Sequence, residues 1–107
     1  MSLSYAVDRL YQSGWTPGFD SDCETLPDGR RFPSLEAVQR EFAQAGLELA
    51  IKHNPTFQCY RASWERGEGA AEGAEDGTVI GSCEHEAAVY ALAQLRAALA
   101  QRQLAGV

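Results

Sequence analysis

Apolar and polar positions recur along this chain with two different periods, and each change of period marks a new element. Near the start, Leu3, Val7 and Leu10, with Ala6 and Tyr11 beside them, repeat at helical spacing. Gly14 supplies a stop and Pro17 lies just beyond it. The spacing predicts a short helix over 4–13, followed by a turn whose aromatics Trp15 and Phe19 cover one end of the core. A second helix is predicted over 35–45. Ser34 stands as its N-cap after Pro33, Glu36 lies near the positive end of its dipole, and Leu35, Val38, Phe42 and Ala45 form one apolar face. Gly46 offers the left-handed terminus.

The period then drops to two. Leu47, Leu49 and Ile51 alternate with Glu48, Ala50 and Lys52, which places the first three on the core side of a strand. Residues 53–56 contain Asn54 and Pro55 and read as a turn, and 57–64 follow as a strand rich in β-formers. A Gly, Ala and Glu segment over 65–77 has no large apolar side chain and is expected to be a mobile solvated loop. Thr78 to Ser82 reads as a third strand, and a long helix runs from Glu84 to Leu104. Its expected N-cap is Ser82, and Ala88, Leu92, Leu95 and Leu99 line one side. Between the first two helices, Leu26-Pro27-Asp28-Gly29-Arg30 carries turn chemistry. That leaves 20–33 as either a loop or a minor hairpin pairing 23–25 with 30–32.

These elements add up to an α+β class: a three-stranded antiparallel sheet with two packed helices (α-β-β-β-α) plus an N-terminal helix. Strand order should follow the chain, because the connections are short or floppy. The second face of the sheet is left open, or covered by the N-terminal helix or by a second copy, so a homodimer is within reach. At 107 residues the chain fits a single domain over 1–107.

Charge and cysteine usage narrow the partners. The net charge is −6 and the pI is about 4.8, which disfavours phosphate backbones and anionic membranes. No apolar run is long enough to span a bilayer, and the first residues lack the basic and apolar regions of a signal peptide. Cys23, Cys59 and Cys83 are odd in number and lack CxxC spacing. With no export signal, reduced thiols in a cytoplasm are expected.

The order α-β-β-β-α from Ser34 to Leu99, with Gly77-Thr78-Val79-Ile80-Gly81 ahead of a helix containing Ala87, Ala88, Ala91 and Ala93, resembles the double-stranded-RNA-binding fold. It also resembles small sandwich domains of uncharacterised bacterial and phage proteins. The resemblance covers a little over half the chain and implies the fold. RNA-binding members open the last helix with lysines that grip phosphates, whereas this chain has Cys83-Glu84-His85-Glu86, whose carboxylates repel a phosphate.

Candidate chemistry is sparse. Cys83 opens a helix, where the dipole favours a thiolate, and His85 is close enough in sequence to form a nucleophile pair. Glu84 and Glu86 oppose that thiolate, and a small half-buried side chain is the simpler reading of Cys83. A zinc site would need Cys23, Cys59, Cys83 and His85 or His53 to converge without a close ligand pair, so no metal is expected. Asp20-Ser21-Asp22-Cys23-Glu24 imitates the start of a calcium loop, but Thr25 and Arg31 stand where glycine and the closing glutamate are required. Tyr60 and Trp64 are expected in the core. Facing outward beside Arg61, they would instead form an aromatic and cationic binding patch. No phosphate-binding glycine loop or hydrolase motif is present, and no cofactor is expected. The residues therefore favour a small cytoplasmic, non-enzymatic interaction or accessory module with an unknown protein partner. A thiol- or metal-dependent enzyme using Cys83 and His85 is the alternative. A degenerate nucleic-acid binder retaining Arg30, Arg31 and Arg40 is a further one.

Overall fold

A computed structural model describes residues 3–17, 23–67 and 76–105. The chain order is α1 (Leu3–Gln12), β1 (Cys23–Thr25), β2 (Arg31–Pro33), α2 (Leu35–Gln44), β3 (Leu47–Asn54), β4 (Cys59–Arg66), β5 (Gly77–Gly81) and α3 (Glu84–Ala105). The class is α+β, as the periodicity predicts. A three-stranded antiparallel sheet has the order β3-β4-β5, and β1 and β2 form a separate two-stranded hairpin.

Local chemistry accounts for most of these boundaries. Gly14 and Gly46 both have positive φ, the backbone state that ends α1 and α2. The Ser34 hydroxyl accepts from the Ala37 N–H at 3.2 Å, satisfying one of the free donors at the start of α2. The β1–β2 turn is closed by the Gly29 N–H donating to the Leu26 carbonyl at 2.9 Å. Pro27 and Asp28 occupy its centre, and Gly29 has φ 93°. Asp28 reinforces the turn by accepting from the Arg30 N–H and from Arg30 Nε, both at 2.9 Å.

α3 forms the middle of the molecule. It packs on all three strands, on α2 and on α1. Ala87, Ala88, Val89, Ala91, Leu92, Ala93 and Leu95 are all buried and cover most of the helix circumference rather than one narrow stripe, leaving the side of Gln94 and Ala97 open. Small residues permit this close sandwiching. Gly81 continues the theme, because a Cβ there would lie 2.6 Å from the Ala87 nitrogen. Val7, Leu10 and Ala6 of α1, Val38 and Phe42 of α2, and Trp64 of β4 join it in the core, with Trp15, Leu26, Phe32, Leu47 and Ala62.

Several details depart from the expectations, among them Glu65, Arg66 and Gly77, which belong to β4 and β5 rather than to the loop over 65–77. Phe57 lies in the β3–β4 turn and is 76% exposed, instead of opening a strand. β3 runs two residues further, to Asn54, whose Oδ1 accepts from the Thr56 N–H at 3.0 Å and organises the turn. The N-cap of α3 is Cys83 rather than Ser82, since the Cys83 carbonyl accepts the first helical bond, from the Ala87 N–H. The loop expected to be mobile over 65–77 falls largely outside the described residues, as do Phe19 and the Asp20–Asp22 start of the calcium-like segment. No helix among the described residues is long and apolar enough to cross a membrane.

Candidate functional site

The helices cover only one face of the β3–β4–β5 sheet. Leu47, Leu49 and Ile51, Ala62 and Trp64, and Val79 point toward them and are buried or half-buried. α1 packs on α3, on the same side, so among the described residues no element lies over the other face. Strand alternation puts Glu48, Ala50 and Lys52 there from β3. Arg61, Ser63 and Glu65 come from β4, and Thr78 and Ile80 from β5. All are exposed except Ser63, which is half-buried, and Ile80 is 54% exposed.

The ladder register sorts this face by charge. Lys52 stands directly opposite Arg61, which in turn stands opposite Ile80. Two residues along the strands, Ala50, Ser63 and Thr78 form a row of small side chains. Two residues further, Glu48 stands opposite Glu65. One end of the face is thus cationic, its middle small and neutral, and its other end anionic. Asp76, just before β5, adds a carboxylate near the anionic end, with its Oδ1 accepting from the Arg66 N–H at 2.9 Å. Among the described residues, Glu48, Lys52, Arg61 and Glu65 take part in no ion pair.

The aromatic and cationic patch of Tyr60, Arg61 and Trp64 does not form on one face, because neighbouring residues of a strand point to opposite sides. Trp64 is 3% exposed and packs against Phe42 with ring centroids 5.4 Å apart. Tyr60 is half-buried on the same inner face and stacks with His53 at 4.8 Å. Arg61 alone belongs to the outer surface.

Cys83 and His85 also part company. Cys83 Sγ accepts from the Glu86 N–H at 3.4 Å, as a helix cap does. His85 Nε2 contacts Glu24 of β1, and the imidazole meets Phe32 edge-on at 5.8 Å. No hydrogen bond joins Cys83 to His85 among the described residues. The buried carboxylate of Glu86, 1% exposed, accepts from the Ser82 N–H at 2.8 Å and from the Ser82 hydroxyl. Ser82, Cys83, His85 and Glu86 are thus each engaged in a structural contact at this helix start. Among the described residues, no group of three or more His, Cys, Asp or Glu side chains converges to hold a metal.

The arginine cluster is likewise divided. Arg30 pairs with Asp8 and Asp28 and donates to Ser4 Oγ at 2.7 Å, tying the hairpin to α1. The Arg31 carbonyl accepts from the Tyr11 hydroxyl at 2.7 Å. Between α1 and α3 runs an open groove of about 500 Å³ lined in part by Tyr5, Arg9, Gln12, Tyr90 and Gln94. Burial raises the Tyr90 hydroxyl above its ordinary pKa, Tyr5 and Glu86 add to the rise, and Arg9 opposes it.

Arg61 stands out in the sequence beside its aromatic neighbours, whereas Glu48, Lys52 and Glu65 look like ordinary solvated strand residues. Alternation alone places them outward. Their pairing by sign needs the register, which depends on the four-residue turn between Asn54 and Cys59. No protein-family model, curated protein or solved structure matches the chain.

Proposed function

We propose that this protein is a small interaction module and that the helix-free face of the β3–β4–β5 sheet is its working surface. An antiparallel sheet commonly leaves one face in water, so exposure by itself carries no weight. The observation that carries the reading is the sorting of charge: Lys52 opposite Arg61 and Glu48 opposite Glu65. Like charges directly across a ladder destabilise it, and opposite charges stabilise it by roughly 0.2–1 kcal/mol per pair. Exchanging one residue between the two ends would give two favourable pairs in place of two unfavourable ones. A face that forgoes this gain is organised toward charges outside the fold.

Urea unfolding at a protein concentration of a few micromolar tests the premise on the isolated protomer. Lys52→Glu, which faces Arg61 with an opposite charge, should raise stability by about 0.5 kcal/mol at low salt. An unchanged or lowered stability would show that the native pairing costs nothing, and the reading would fall.

A further inference from the structure

We infer that the occupant of this face is a second copy of the same chain, packed sheet to sheet about a two-fold axis that runs along the row Ala50–Ser63–Thr78. The inference rests on the interaction reading above and names its partner. A two-fold axis lying in the interface and crossing the strands reverses strand direction while keeping each strand over its own counterpart. The cationic end of one protomer then meets the anionic end of the other: Lys52 faces the second copy's Glu48, and Arg61 its Glu65. The distances match by construction, because both charged rows lie two residues from the central row. An isologous interface requires this self-complementarity.

The middle row suits the axis. Residues on a two-fold axis meet their own counterparts, so they must be small and uncharged, as Ala50, Ser63 and Thr78 are. Aligned sheets pack about 10 Å apart, a gap that Ala, Ser and Thr allow and that Lys or Arg can span to a carboxylate from the ends. Ile80, in the cationic row, would lose water on association.

Charge balance and area set the strength. The chain's net charge of −6 opposes the meeting of two copies. The four ladder charges, two of each sign, cancel, and Asp76 near the anionic end leaves a small negative excess. β3 and β4 are eight residues long, so a three-stranded face offers about 400 Å² per protomer, roughly half of a standard stable interface. Association should therefore be weak, concentration-dependent and sensitive to salt.

Sedimentation equilibrium of the full chain and two charge-reversed variants tests this. Lys52→Glu with Arg61→Glu makes all four ladder charges negative, and Glu48→Lys with Glu65→Lys makes them all positive. At about 100 μM protein and about 20 mM salt, the wild-type chain should self-associate, with at least a roughly tenfold weaker constant at about 500 mM salt. Each variant alone should be monomeric, and an equimolar mixture should re-form dimers. That rescue also shows both variants to be folded, which circular dichroism checks independently.

Three outcomes would overturn the inference: a monomeric wild type, variants that dimerise as well as wild type (as pairing through the β3 or β5 edge would give), or folded variants that fail to associate when mixed. A monomeric wild type alongside a stabilised Lys52→Glu would remove the self-partner and leave the face to another protein. An unstabilised Lys52→Glu would remove the interaction reading itself.

Discussion

At Gly77 a Cβ would overlap the Trp64 indole, which spreads over that glycine toward Phe42. Gly77→Ala should therefore force the indole off its site and cost about 1–3 kcal/mol in urea unfolding. A tolerated alanine would mean that the ring can shift freely. A glycine inside a β-run signals such close approach, yet it does not say which side chain approaches. Cys83 was legible as a helix-start residue, but its duty was not. The thiol caps the helix, and a hydroxyl is the better acceptor for that purpose. Cys83→Ser should keep or slightly raise stability, whereas Cys83→Ala should lose about 0.5–1 kcal/mol. A large loss with serine would point to a role for sulfur that capping does not explain.

Glu41 makes the pH argument. Its Oε2 is buried with no hydrogen-bond partner among the described residues. Burial pushes its carboxyl above the usual carboxylate range, and Arg96 only partly offsets the push. A carboxyl raised in the folded state binds its proton more tightly there than in the unfolded chain. Its ionisation therefore costs stability as pH rises from the ordinary glutamate pKa through the raised one, and acid relieves that cost. Glu41→Gln should thus stabilise the protein at pH 7 and lose this advantage toward pH 4. Urea midpoints at the two pH values check the sign, and a benefit confined to pH 4 would contradict it.

The ends of α1 and α2 and the Pro27-Asp28-Gly29 turn were readable from local chemistry, whereas the choice between loop and hairpin over 20–33 and the N-cap of α3 were not. Ser34, Gly46 and the Pro27-Asp28-Gly29 turn act through neighbours a few residues away, and the backbone shows them doing so. The β3–β4 connection was less readable. Phe57 suits a strand by type, but Asn54 folds back on the Thr56 N–H and carries Phe57 into the turn, where Gln58 takes φ 49°. Moving that turn changes which residues of β3 and β4 face each other, so the sign-sorted pairs could not be seen beforehand. Long-range ties were equally hidden. Arg30 reaches Asp8 and Ser4 across more than 20 positions. Arg30→Ala should loosen the hairpin from α1, read as faster amide exchange over β1 and β2 with little change in β3–β5. Uniform acceleration across both sheets would show instead that the hairpin is integral to global stability.

For the molecule as a whole, α3 buries mostly small residues around most of its circumference between the sheet and α1. Both helices that touch the sheet, and the third that touches α3, thus lie on one side of it. Among the described residues no element covers the other face of the sheet, which carries two positive and two negative ladder charges at opposite ends. The aromatic patch that the strand composition allowed is divided between the two faces by the pleat. What remains outside is mostly polar, with its ladder charges sorted by sign and Ile80 exposed beside the cationic pair. The resemblance to the RNA-binding fold concerned the order of elements; the contact surface proposed here is the sheet, not the start of the last helix.

The most direct measurement is a dilution series of two-dimensional amide NMR spectra at low salt, from about 1 mM to about 10 μM. The account requires concentration-dependent shifts at Glu48, Ala50, Lys52, Arg61, Ser63 and Glu65, with the α1–α3 groove around Arg9 and Gln94 unmoved. Invariant sheet signals, or shifts centred on the groove or the start of α3, would contradict it.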